Sequence, residues 1–297
     1  MDAPPVDRVK QRLHATLSRW DANTTHADMR RQWDELFGVR RQVASSDHAC
    51  AAGVNATWIA APGVGTDRVL LYLHGGGYVM GSVHSHWDLI ARLSSACSCR
   101  ALGVDYRLAP EHVYPAAVED VVSAYRWLLG QGVAPASIAI AGDSAGGGLT
   151  VMALLALRNA GIPLPAAAVL LSPWVDFEAT GESFTSRKHV DPMVRRRLIH
   201  ETTQLYLAGK ISPRDPEVTP MHADLSGLPP LLVQVGDHET LLDDSRNFCE
   251  RARRAGVDAT LEIWPQMFHV FQLFADEIEE ARRAIDAIGT FVRQRLG

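Results

Sequence analysis

Short apolar runs alternate with longer amphipathic stretches along most of the chain. RVLLYLH (68–74), RALGVDY (100–106), SIAIAG (137–142), AAVLLS (167–172), LLVQVG (231–236) and ATLEIW (259–264) have strand length and nearly continuous apolar character, the pattern of strands buried on both faces. Between them, Ala and Leu recur at spacings of three and four over 84–96, 116–130, 145–160, 240–255 and 275–294, which predicts helices. This alternation predicts an α/β fold with a mostly parallel central sheet covered by helices on both faces. Two regions break the alternation. Residues 8–37 read as two amphipathic helices with no strand to cover, their apolar positions being Leu13, Leu17, Trp20, Trp33, Leu36 and Phe37. Residues 176–216 are charged and end in ISPRDP, and both regions are expected to form a lid.

Composition narrows the class without choosing a chemistry. The 297 residues, 47% hydrophobic, suffice for a large core. The net charge of −5 arises from 34 acidic and 29 basic residues mixed along the chain, so no basic block calls for a nucleic-acid partner. The first twenty residues lack a signal-type apolar core, and no apolar run reaches the ~18 residues of a membrane span. A cytoplasmic location without stable membrane insertion is the expectation. Cys50, Cys97, Cys99 and Cys249 follow no zinc spacing and are expected to be reduced thiols.

Chemistry enters at IAIAGDSAGGGLTV (138–151), where small residues crowd one serine between a strand and a helix. Gly142-Asp143-Ser144-Ala145-Gly146 fits G-x-S-x-G, the strand-turn-helix nucleophile elbow. The turn leaves no room for side chains two positions either side of the serine, hence Gly142 and Gly146. Ser144 then stands at the sheet's carboxyl edge, near a helix N-terminus whose unpaired N–H groups favour developing negative charge. A serine needs a base and oxyanion donors before it attacks. Upstream, His74-Gly75-Gly76-Gly77-Tyr78 follows a strand and matches the loop whose N–H groups complete an oxyanion hole with that of Ala145. Downstream, His269 follows the last strand, where this order of residues places the base.

HGGGY (74–78), DYRLAPEHVYPAA (105–117), GDSAGG (142–147), SPWVD (172–176) and the final histidine together resemble the hormone-sensitive-lipase branch of the α/β-hydrolase esterases. The resemblance covers most of the chain after about residue 65 and implies the α/β-hydrolase fold. It assigns the oxyanion hole to Gly76, Gly77 and Ala145. It also implies a helical cap built from the N-terminus and from an insertion after the strand that follows the elbow. The two irregular regions match, giving a cap of residues 1–40 and 176–216 and a catalytic domain of 41–175 and 217–297.

The acid departs from the family's D-P-L-x-D pattern. A gapless alignment lays that motif on Glu239-Thr240-Leu241-Leu242-Asp243, so its first aspartate becomes Glu239. Either carboxylate can hold the imidazole's second nitrogen, and Glu239 is preferred to Asp243 because it lies closer to the end of LLVQVG. Asp243 is the alternative acid and Asp237 a weaker third.

Other classes fit less well. Read as a dinucleotide loop, Gly75–Gly81 would pair with Asp105 as the ribose acid, but the 30-residue interval overshoots the usual ~20 and leaves the elbow unexplained. His84, His86 and Asp88 form a zinc-like cluster without a third histidine. A non-catalytic small-molecule receptor on the same fold would lack the histidine that this chain keeps. The expectation is therefore a serine carboxylesterase acting without cofactor or metal on a small, short-chain ester, as monomer or homodimer, with a lactone or amide hydrolase as the alternative. Ser144 is the nucleophile, His269 the base and Glu239 its orienter. Tyr78 and Asp143 are expected to shape the substrate site, and Arg107 and Glu111 to pair beneath it.

Overall fold

The computed structural model describes residues 4–21 and 23–297. The chain begins with α1 (Pro5–Leu17) and α2 (His26–Phe37), then forms a hairpin of β1 (Ser45–Ala51) and β2 (Val54–Ala60). Next come β3 (Gly65–Leu73), α3 (Val83–Cys97), β4 (Cys99–Val104), α4 (Ala116–Gly130), β5 (Ile138–Asp143) and α5 (Ala145–Asn159). After β6 (Ala167–Leu171) lie α6 (Ser183–Ser186) and α7 (Arg196–Leu207), followed by β7 (Leu231–Gly236), α8 (Leu242–Arg254), β8 (Ala259–Trp264) and α9 (Glu279–Arg293).

The described strands form one sheet in the order β1-β2-β4-β3-β5-β6-β7-β8. From β4 onward every neighbouring pair is parallel, and the pairs β1/β2 and β2/β4 are antiparallel. Every residue of β5, β6 and β7 is buried, as continuous apolar runs require. α3 packs with α9 over one face and α4 with α5 over the other. All parallel strands point the same way, so the loops after β3, β5, β6, β7 and β8 meet along one carboxyl edge, the place where sheets of this kind bind ligands.

The hairpin at the sheet's start is an addition to the predicted elements. SSDHACA is exposed at nearly every position, so it carries no hydrophobic periodicity, and it turns through Ala52 and Gly53 at φ 54° and 90°. The N-terminal helices are held by their apolar faces: Val9, Leu13, Trp33 and Phe37 are buried, and Phe37 meets Phe274 at 5.9 Å between ring centroids. Among the described residues, no helix is long and apolar enough to cross a membrane.

Candidate active site

β5 leads straight into Ser144, whose backbone sits at φ 52°, ψ −119°, a strained conformation for a non-glycine residue. The strain is held by a hydrogen bond from Ser144 N to the Leu171 carbonyl (2.8 Å) and another from Trp174 N to the Ser144 carbonyl (2.9 Å). Gly146 is obligatory here: a Cβ would run into the Leu73 and His74 carbonyls. The elbow is therefore wedged against the end of β3, which brings the HGGG loop beside the serine.

Ser144 Oγ lies 2.9 Å from His269 Nε2, and His269 Nδ1 lies 2.9 Å from Glu239 Oε2. These residues come from the ends of β5, β8 and β7. β6 runs between β5 and β7, and Ser172 at its end joins the loops: its Oγ donates to Glu239 Oε1 (2.8 Å) and accepts from Val270 N (3.1 Å). Gly236 N donates to the same Oε1 at 2.6 Å. The glutamate thus reaches back toward the end of its own strand, which accommodates the extra methylene. Burial opposes charge on His269, but the hydrogen bond and charge of Glu239, with Asp191 and Asp143 farther off, hold its pKa above the ordinary histidine value. Burial raises Glu239 as well, with His269 and the Gly236 N–H pulling it back.

The N–H groups of Gly76, Gly77 and Ala145 donate to no group among the described residues. Gly76 and Gly77 line a pocket of about 720 Å³ that also contains Ser144 and His269. Their loop is fixed from below. Asp143 Oδ1 accepts from Gly75 N (2.9 Å) and Tyr72 Oη (2.7 Å), while Oδ2 stands 3.3 Å from His86 Nε2. Burial works against charge on this pair too, but Asp143 raises the His86 pKa and His86 lowers that of Asp143. His74, stacked on Tyr106 at 4.3 Å, is lowered to about 4 by burial and by His86, so it stays neutral and donates from Nδ1 to the Gly75 carbonyl (2.8 Å). Asp143 is thus on the pocket wall, yet its carboxylate supports the HGGG loop.

The structure also places the remaining candidates. Tyr78, at φ 63°, is fully buried and does not line the pocket itself; it stacks on Tyr206 at 3.9 Å and packs at 5.4 Å behind Trp174, which does. Arg107 pairs with Asp120 and Glu119, and Glu111 with Arg30 on α2, so the expected Arg107–Glu111 pair does not form. Asp243 does not approach the histidine; its Oδ2 accepts from Ser183 N at 2.8 Å. Asp237 accepts from Gln266 N. His86 faces Asp143 and Asp88 binds Arg92, so the zinc-like cluster is dispersed, and Asp105 accepts from Val83 N at the start of α3. Ligand atoms of Asp176, Glu178 and His222 do lie within 4.8 Å of one another, but Asp176 already accepts from Glu178 N and Thr180 N and Glu178 binds Arg214.

Comparison with known proteins identifies the fold and the family. A family model described as the alpha/beta hydrolase fold matches residues 70–273. An esterase structure from the bacterial hormone-sensitive lipase family is 49% identical over the whole of both chains, with a TM-score of 0.96. The chain belongs to the hormone-sensitive-lipase-like esterases of the α/β-hydrolase fold. An acetyl-hydrolase of Streptomyces hygroscopicus is 42% identical, with 100% of this chain and 99% of the relative covered. A structure of EstE5 soaked with p-nitrophenyl butyrate is 41% identical, covers 99% of each chain and has a TM-score of 0.93. Ser172, which joins Glu239 to Val270, lies in SPWVD, yet its sequence context assigned it no role.

Proposed function

We propose that this esterase hydrolyses small, short-chain acyl esters through a covalent acyl-enzyme, with Ser144 as nucleophile, His269 as base and Glu239 as its orienter. The observation that carries the reading is the unbroken chain of 2.9 Å contacts from Ser144 through His269 to Glu239, beside three N–H groups that have no partner among the described residues. His269 takes the Ser144 proton as Oγ attacks the carbonyl carbon. The oxyanion then accepts from Gly76, Gly77 and Ala145. The proton passes to the leaving alkoxide, the alcohol departs, and water repeats the sequence to release the acid. Glu239 keeps the Nδ1 proton in place and stabilises the imidazolium between these steps. α1, α2 and residues 176–216 act as the cap, contributing Leu17, Trp20, Trp33 and Met193 to the pocket walls.

The test is a panel of p-nitrophenyl acetate, butyrate and octanoate, a lactone and an N-acetyl compound, the last prompted by the acetyl-hydrolase relative. Esters are expected to turn over fastest, and Ser144→Ala to lower kcat by at least ~10³ with an unchanged melting temperature. A variant keeping more than a tenth of wild-type activity would sink the mechanism.

A further inference from the structure

Asp191 lies in the turn before α7 and is 1% exposed, yet it belongs to none of the roles above. Its carboxylate receives only donors. Met193 N and Val194 N donate to Oδ1 at 2.8 and 2.9 Å. Thr240 N and Thr240 Oγ1 donate to Oδ2 at 2.8 and 3.1 Å. Four donors and no acceptor suit a carboxylate anion, since a carboxylic acid would need somewhere to place its proton. Each oxygen also serves a different part of the site. Met193 and Val194 line the substrate pocket, whereas Thr240 directly follows Glu239.

We infer that Asp191 is a positioning residue of the hydrolytic reaction, stapling the loop that bears Glu239 to the pocket wall at Met193 and Val194. Glu239 sits on a loop after β7, and the Asp191 bonds fix the peptide that leaves it. Glu239 Oε2 is thereby kept in line with His269 Nδ1, and contact of substrate with the 193–194 wall bears on the same unit. Asp191 also adds a negative charge that favours the imidazolium of His269. The charged neighbours of that histidine are Glu239 after β7, Asp143 at the end of β5 and Asp191 itself. Around Asp191, Lys10 of α1 feels its charge, and Arg195 donates to its backbone carbonyl.

The inference rests on the assignment of Ser144, His269 and Glu239 as the reacting set. That assignment fails separately, if wild-type protein does not cleave p-nitrophenyl butyrate or Ser144→Ala still does. Asp191→Asn presents an NH2 group either to the Thr240 N–H or to the two N–H groups of the wall, so one side of the staple opens. With p-nitrophenyl butyrate, kcat should fall at least about tenfold while KM changes less than about threefold. The acid-side midpoint of kcat/KM, which reports the free enzyme's base, should lie above the ordinary ~6.5 in wild type and move down by about half a pH unit in Asp191→Asn. Active-site titration with phenylmethylsulfonyl fluoride counts the competent molecules. Wild-type kcat and midpoint per titrated site would overturn the inference. So would a loss that merely follows the number of titratable sites with the midpoint unmoved, the signature of a purely structural residue. If Asp191→Asn does not fold, Thr240→Val decides: it removes only the hydroxyl donor and should lower kcat about two- to fivefold, and an unchanged kcat would reject the positioning role.

Discussion

Glu239 has three donors to satisfy with two oxygens, and only one of them is the histidine. Ser172 and Gly236 hold Oε1, which aims Oε2 at His269. Glu239→Gln keeps the size and loses the charge that stabilises the imidazolium, so kcat should fall by ~10² or more. Glu239→Asp is one methylene short and must give up either the Oε1 donors or the histidine, leaving partial activity. Asp243→Asn weakens a bond to Ser183 N worth about 1 kcal/mol and should change kcat less than about threefold. The opposite ranking of Glu239→Gln and Asp243→Asn in steady-state kinetics would hand the role to Asp243. Motif spacing singled out Ser144 and His269 before any coordinates, and the family resemblance pointed to Glu239; the structure brings these three side chains together. Ser172 and Asp191 were not legible, because their work is done on partners 67 and 49 residues away and neither local pattern records that meeting. Tyr78 was named as shaping the site, and the structure puts it one layer behind the pocket, between Tyr206 and Trp174.

At the scale of elements, the elbow joins two strands that the sequence separates by more than sixty residues. Gly146 at the start of α5 is in contact with the end of β3, and a methyl group there would push the HGGG loop off the serine. Gly146→Ala should therefore cost both stability and more than about tenfold in kcat. Gly130 ends α4 with nothing near its missing side chain, so Gly130→Ala should leave activity intact and melt at the same or a slightly higher temperature. Equal effects of the two substitutions on melting and turnover would remove the wedge from the account. The buried apolar run at 231–236 was readable to the residue, and so was 259–264, although β8, the edge strand, is buried only at Ala259. β1 was invisible for the complementary reason: exposed on nearly all its positions, its pairing with β2 is made by backbone bonds that side-chain periodicity does not register. α9 begins at Glu279, four residues inside the predicted start, because Phe271–Phe274 form a separate short turn of helix beneath α2's Phe37.

At the scale of the molecule, the N-terminal helices join the pocket to the main core through one line of aromatic rings. Trp20 meets Trp33 at 6.4 Å, Trp33 meets Phe37 at 4.6 Å, and Phe37 meets Phe274 beside the loop that carries His269. A chain starting at residue 38 would uncover Phe274 and lose the Trp20 and Trp33 wall together, so aggregation would mask any change in substrate preference. Trp33→Ala separates the two effects. The ring is buried, and its removal should destabilise the protein by about 3–5 kcal/mol. The pocket, at about 720 Å³, already exceeds what an acetyl or butyryl group fills, so shortening Trp33 takes away apolar contact more than it relieves a clash. Each methylene that loses such contact is worth about 0.8 kcal/mol, or roughly fourfold in kcat/KM. The ratio of kcat/KM for p-nitrophenyl octanoate over acetate should accordingly fall at least about threefold in Trp33→Ala, measured well below its melting temperature and per titrated active site. A ratio equal to wild type would mean that acyl chains leave Ser144 by another wall, and a higher ratio would mean that the indole limits chain length instead of binding it.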